Sequence, residues 1–472
     1  MARRSSESLE EQHITIHLLR CKLFPLVQRF AEDASWQVRC ATATQCGGLC
    51  VAFGDHWSSV LIDMLQNLMD DDHIRVKCAA VCALPRCASA IVGFFRVDTV
   101  GAADDQPPAE APSVPLSPLP PQPSERDYGG KLNSGSASTA EQKLLIAQMG
   151  AIDTLVPAAS SLIVDPTADV RATLAWALSR LLITMHMPQL SVTAEDKEEL
   201  QEKIERDILP LLQLLLHDAD PHVAQAVLLS MRSSSEDTFS QDAELVTPLE
   251  PPRNFSDYPI FAPRHVTKIL NSLNELSTSK HKWRLRLSSV AVVPVLFASA
   301  GHDSSTRDGL LDLCIGALED EADRVRKCAV ECLCVVAQIA GNGGASQRGS
   351  LPASEGEAGS DTVGRLVEAV RNLQSSSSHK QRLTTLYLIE RLVLTVVPCE
   401  FTVPNLLPII LESATDRLVH VRIRAARLLG DIAPRLPPEA WRNNVVPCLQ
   451  SMLADEDLDV RYYSQKAIRL KR

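Results

Sequence analysis

At 472 residues the chain is longer than one hydrophobic core usually organises, so several domains or a repeat array are expected. Aromatic residues make up 4% and hydrophobic residues 45%, a mixture that suits many small helix–helix contacts and excludes a large aromatic-rich β core. The formal net charge of -11 comes with no sustained Lys/Arg stripe, which argues against nucleic acid as a partner, and the 13 cysteines include no CxxC pair to seed a zinc or redox site.

The chain opens with a polar stretch, Met1 to Glu11, that lacks the apolar core of a signal peptide. No run reads as long enough to cross a bilayer, so the expectation is a soluble protein without a membrane partner, cytoplasmic first and nuclear second. Repeat one, 13–53, carries Asp33…Val38-Arg39, and Phe24-Pro25 places a proline thirteen residues ahead of the valine. Repeat two, 57–97, carries Asp71…Val76-Lys77. Residues 98–142 follow as a Pro/Gly/Ser-rich linker with eight prolines between Pro107 and Pro123. Such a segment cannot bury enough apolar surface to fold alone, so it is predicted to be disordered, with Ser117 in a Pro-Leu-Ser-Pro context as its one candidate modification site.

Repeat three, 143–186, restores both landmarks with Asp165…Val170-Arg171 and Val156-Pro157. Repeat four, 200–232, keeps Leu209-Pro210 and Asp218…Val223, but has Ala224 in the basic position. A polar, Pro-rich insertion at 233–263 separates it from repeats five to nine, 264–472. Repeat five has Leu285-Arg286 with Lys280 where the aspartate would stand, and repeat six has Asp320…Val325-Arg326. After a Gly/Ser/Glu-rich insertion at 341–360, repeat seven has Gln381-Arg382 with Ser376 at the aspartate position. Repeats eight and nine are regular, with Asp416…Val421-Arg422 behind Leu407-Pro408 and Asp455…Val460-Arg461 behind Val446-Pro447.

Val76 follows Val38 by 38 residues, Val325 follows Leu285 by 40, and Val460 follows Val421 by 39. Two landmarks holding one offset at this period predict an all-α fold, a HEAT-repeat α-solenoid of stacked two-helix repeats with disordered insertions. In repeat nine, the helix from Val445 to Leu453 should bend at Pro447, where a donor is lost and the ring crowds the preceding turn. Asp455 or Asp457 can accept from the free amides of the next helix, whose Val460, Tyr463, Ala467 and Leu470 share one face. Arg461 and its equivalents can reach the aspartate of a neighbouring turn, giving a column of pairs along the stack. If exposed, each contributes about 0–1 kcal/mol, so the column sets register more than it stabilises. The cysteines spaced four apart, as in Cys46/Cys50, Cys78/Cys82 and Cys328/Cys332, read as reduced packing residues.

The sequence holds no constellation that would carry chemistry. Gly54-Asp55-His56 has no converging carboxylates or histidines with which to build a metal site. No cysteine is followed six positions later by arginine, and no glycine-rich loop opens a helix with a lysine to cradle phosphate. The reading is a binding protein that is not an enzyme and uses no cofactor or metal.

Four segments narrow the partner: Ala31 to Arg39 (AEDASWQVR), His281 to Leu287 (HKWRLRL), Gln381 to Leu386 (QRLTTL) and Asp457 to Ala467 (DLDVRYYSQKA). With the repeat register they resemble the scaffold (A) subunit of protein phosphatase 2A, nearly continuously from about residue 264 onward. The resemblance implies a non-catalytic scaffold whose intra-repeat turns form a ridge, the last five repeats gripping the phosphatase catalytic subunit. Trp283, Arg284, Arg382, Asp416, Arg422, Asp457 and Arg461 match positions on that ridge.

Asp323 stands where the family usually has a tyrosine, and Gln37 replaces an arginine beside Trp36. The first unit resembles the family's seventh repeat, so the repeats on which regulatory B-type subunits mostly dock have no counterpart. Trp36 and Arg39 are the positions at which such a subunit would find an edge. The alternatives are a regulatory subunit of a type 4 or type 6 phosphatase, and a general HEAT adaptor or nuclear transport receptor.

Overall fold

Leucine, valine and alanine at three- and four-residue spacing make helices whose apolar stripes need covering by neighbours above and below. A computed structural model of the chain describes residues 22–53, 55–101, 139–185, 194–232, 261–278, 282–301, 303–343 and 357–470, and among the described residues all regular structure is helical. The architecture is an all-α solenoid of two-helix repeats. It divides into two compact units, Met1–Leu211 and Leu212–Arg472, with the boundary inside the helix Leu209–Leu216.

In the first unit, helices Phe24–Ala31, Asp55–Met69, Thr139–Ser160 and Ala194–Asp207 form one layer. Trp36–Phe53, Ile74–Gly101 and Ala168–Met185 form the other. Each helix packs on its partner within the repeat and on the equivalent helix of the next. Val76, Leu84, Leu155, Val170, Leu174 and Leu178 are fully buried between the layers, so the valine of the recurring motif is a core residue in repeats two and three, whereas Val38 of repeat one is half-buried.

In the second unit the layer of second helices runs through Pro221–Ser230, Trp283–Ala291, Asp323–Gly343, His379–Thr395, Val419–Ile432 and Leu458–Leu470. The first helices include Pro263–Ser277, Ser304–Ala317 and Glu357–Gln374. Val325, Val421 and Val460 are fully buried here in the same role.

The repeated proline marks a break in the first helix. Cys399–Asn405 gives way to Leu407–Ser413 at Pro408, Ala194–Asp207 gives way to Leu209–Leu216 at Pro210, and a π-turn at Trp441–Val445 hands over to Val446–Met452 at Pro447. Each proline withholds an amide from the turn before it, and the helix resets there. Pro157 lies inside Thr139–Ser160, which ends in the 3-10 turn Ser161–Val164.

Several boundaries differ from the sequence reading. The helix Ile74–Gly101 runs past position 98, and the next begins at Thr139. Phe261, placed in the second insertion, is buried, and its amide donates to Ser299 Oγ at 3.1 Å, so it belongs to the core of repeat five. Asp55 and His56 open the helix Asp55–Met69. Leu145–Val164 is long and apolar enough to cross a membrane by length and composition, which corrects the expectation that no such run exists. Its apolarity has a local cause: Ala151, Ile152, Leu155, Val156 and Ala159 are buried in the core of the stack. Residues 1–21, Gly54, most of the three insertions including Ser117, and Lys280 lie outside the described residues.

Candidate interaction surface

The arginine of each motif lies one turn into the second helix, pointing along the stack. Arg39 donates Nε and Nη2 to the two carboxylate oxygens of Asp71 in the next repeat, at 2.6 and 3.0 Å. Arg286 meets Asp320 at 2.6 and 2.9 Å, Arg382 meets Asp416 at 2.6 and 3.3 Å, and Arg422 meets Asp455 at 2.6 and 3.0 Å. Lys77, with one nitrogen, meets Asp165 at 2.9 Å. The remaining guanidinium nitrogen turns back: Arg39, Arg171, Arg326, Arg382, Arg422 and Arg461 each donate Nη1 to the carbonyl six residues earlier.

The aspartate is also committed on two sides. Oδ1 of Asp71, Asp320, Asp416 and Asp455 accepts the amide two residues on, closing the intra-repeat turn. The planar fork of arginine matches a carboxylate in two bonds, which lysine cannot do. The pairs are more buried than the sequence suggested: the Arg382 and Asp416 side chains are each only 8% exposed. Arginine hydrogen bonding is the main cause holding Asp71 and Asp455 below the ordinary carboxylate range. For Asp165, Asp320 and Asp416 burial pushes upward, but the cation and the turn amide outweigh it and the net shift is again downward.

The rung at Arg326 lacks its aspartate, and repeat four, with Ala224 in the basic position, has no cation to form one. The aspartate position facing Arg326 is Ser376, whose hydroxyl accepts the Ser378 amide in the turn but offers no carboxylate. Arg326 instead donates Nε to Thr384 Oγ1 at 3.2 Å and Nη2 to Asp323 Oδ1 at 3.0 Å. Asp323 supplies locally the charge that the next repeat lacks, and it also pairs with Lys327 at 2.7 Å.

The positions singled out from sequence therefore divide. Arg382, Asp416 and Arg422 spend their polar atoms inside the ladder. Arg461 donates to its own turn, at 2.5 Å to the Asp455 carbonyl and 3.0 Å to that of Glu456. Asp457 caps Leu458–Leu470, accepting from Asp459 at 2.9 Å and Val460 at 3.2 Å, while Asp455 shapes the turn. Arg39 is a ladder residue, and Trp36 is half-buried against His73. Trp283 opens its helix half-buried, with the exposed Arg284 guanidinium 4.7 Å from the ring centroid.

Sequence reasoning missed the apolar members of the ridge. Leu418, Leu453 and Leu458 are exposed in or beside the turns of repeats eight and nine, with Tyr462 one helical turn further on. Ile74 and Val164 are their counterparts in repeats two and three. The register already placed these positions in turns, where a large apolar residue is the signal of a contact. Among the described residues, no group of three His, Cys, Asp or Glu is arranged to hold a metal ion.

The HEAT repeat family matches residues 310–340, which include Asp320, Val325 and Arg326. An engineered protein of known crystal structure is 13% identical, with 67% of this chain and 96% of that chain covered and a TM-score of 0.26. A designed armadillo repeat protein is 16% identical, with 56% and 100% covered and a TM-score of 0.27. Comparison with curated proteins finds no match. The chain is an all-α repeat solenoid in which residues 310–340 match the HEAT repeat.

Proposed function

We propose that this chain is a non-catalytic scaffold that holds the catalytic subunit of a 2A-type serine/threonine protein phosphatase against the intra-repeat turns of repeats five to nine. The observation that supports the reading most is the Trp283–Arg284 pair, an aromatic ring under an exposed guanidinium at the start of a second helix. Tryptophan and arginine dominate binding hot spots, because each offers large contact area together with directed polar atoms. Leu418, Leu453 and Leu458 supply apolar contacts further along the same line of turns. Arg382, Asp416 and Arg422 act as positioning residues: their pairs hold the turns in register before the partner arrives, which lowers the ordering cost of association.

The test is direct binding of the purified chain to purified 2A-type, type 4 and type 6 catalytic subunits, each measured separately. Saturable binding of the 2A-type subunit is expected, weakened at least ~30-fold by Trp283→Ala with Arg284→Ala, the loss of one strong hot spot. Preference for the type 4 or type 6 subunit would reassign the partner, and absence of binding to all three would leave a general adaptor. Phosphopeptide hydrolysis by the chain alone would contradict the non-catalytic reading.

A further inference from the structure

The turns of repeats one to three form a second ridge, which the phosphatase reading does not use. Arg39–Asp71 and Lys77–Asp165 hold these turns side by side. On them the Trp36 ring stacks flat on His73, with 4.2 Å between centroids and 3° between planes. The His73 ring is fixed in place because its Nδ1 accepts the Arg75 amide at 3.2 Å and its own amide donates to Asp71 Oδ1 at 2.8 Å. Two large apolar side chains beside this platform face solvent, Ile74 at 45% exposure and Val164 at 80%. Four exposed carboxylates that take no part in the ladder, Glu32, Asp70, Asp72 and Asp169, lie in or beside these turns, together with the exposed Arg75, whose guanidinium is 5.7 Å from the Trp36 ring centroid.

We infer that this ridge docks an extended basic segment of a partner protein, with lysine or arginine alternating with apolar residues. Charge selects the occupant: the carboxylates outnumber Arg75 on these turns, and an anionic surface with apolar contacts repels nucleic acid and anionic lipid and steers a cationic chain toward it. Geometry sets its length. Stacked helices lie about 8–10 Å apart, so three turns span roughly 20 Å. That distance corresponds to about six or seven residues of extended chain at ~3.3 Å each, or one cation for every three residues or so. Apolar residues between the cations would then meet Ile74, Val164 and the edge of the Trp36–His73 stack. The inference stands independently of which partner occupies repeats five to nine.

Fluorescence anisotropy tests it with the full chain and a labelled nine-residue peptide bearing lysine at every third position and leucine between. A peptide of the same length with glutamate in place of lysine serves as the comparison. Saturable binding of the lysine peptide is expected, weakening as salt rises from ~50 to ~300 mM because the screening length shortens. Asp70→Asn with Asp72→Asn should weaken it about tenfold, as should Ile74→Ser with Val164→Ser. Glu368→Gln, on the first helix of repeat seven, should leave it unchanged. All these positions are exposed, so an unaltered melting temperature separates lost binding from lost folding. Three results would overturn the inference: no saturable binding, equal binding of the glutamate peptide, or affinity within twofold of the parent chain after both charge removals.

Discussion

Arg382 carries the stack's logic in one side chain. Nε and Nη2 grip Asp416 in the next repeat, Nη1 donates to the carbonyls of Ser376 and Ser377 behind it, and the group is buried. Arg382→Ala leaves a buried carboxylate and two turn carbonyls without their donor, at a cost of about 1–3 kcal/mol. Urea unfolding measures it, and Arg382→Lys should recover little because an ammonium cannot make the two-pronged contact. The aspartates add a pH dependence. Their folded pKa lies below the unfolded value of about 3.9, so the contribution is complete above that value and is lost as pH falls through the folded one. The melting temperature should therefore drop as pH is lowered below ~4, and a melting temperature that holds or rises there would contradict the ladder. Burial raises the thiols of Cys46, Cys82 and Cys334 to about 12. They should resist a thiol reagent at pH 8 in the folded chain and react once it is unfolded in denaturant.

At the scale of the element, the second helix was legible from Asp…Val-Arg because burial of the valine, closure of the turn by the aspartate and the forward reach of the arginine all depend on that spacing. The break at Pro408 was legible for the same reason, as a recurrence at a fixed offset. The break between Trp283–Ala291 and Val293–Ser299 was not, because Pro294 lies in a second helix outside the recurring register. The sharing of labour at the Arg326 rung was equally hidden. Ser376 could be seen to depart from aspartate, but that Asp323 and Thr384 take up Arg326 depends on side-chain directions that spacing does not encode. Ser376→Asp should restore the rung, since aspartate can accept both the turn amide and the Arg326 fork. A gain of about 1 kcal/mol in denaturant unfolding is expected, and a loss of stability would show that the local pairing with Asp323 is preferred.

For the molecule as a whole, the period and the order of the repeats could be read from sequence, because each repeat contacts only its neighbours and so repeats the same requirements. The candidate interaction surface was only half legible. Sequence placed Arg382, Asp416, Arg422 and Trp283 together in the turns, but burial separates the three that hold the turns from the one whose ring lies at the surface. Leu458 and Val164 went unread because an apolar residue in a motif-rich turn passes for core until its exposure is known. One line of residues therefore does two kinds of work under the proposed function, a ladder that fixes the spacing of the turns and a set of exposed side chains that meets a partner. Hydrogen–deuterium exchange of the full chain, with and without a purified 2A-type catalytic subunit, tests this most directly. Protection is predicted in peptides covering 282–288, 318–324, 374–380, 414–420 and 452–462, with the rest of the chain unchanged. Protection confined to other faces of the helices, or none under saturating catalytic subunit, would contradict it.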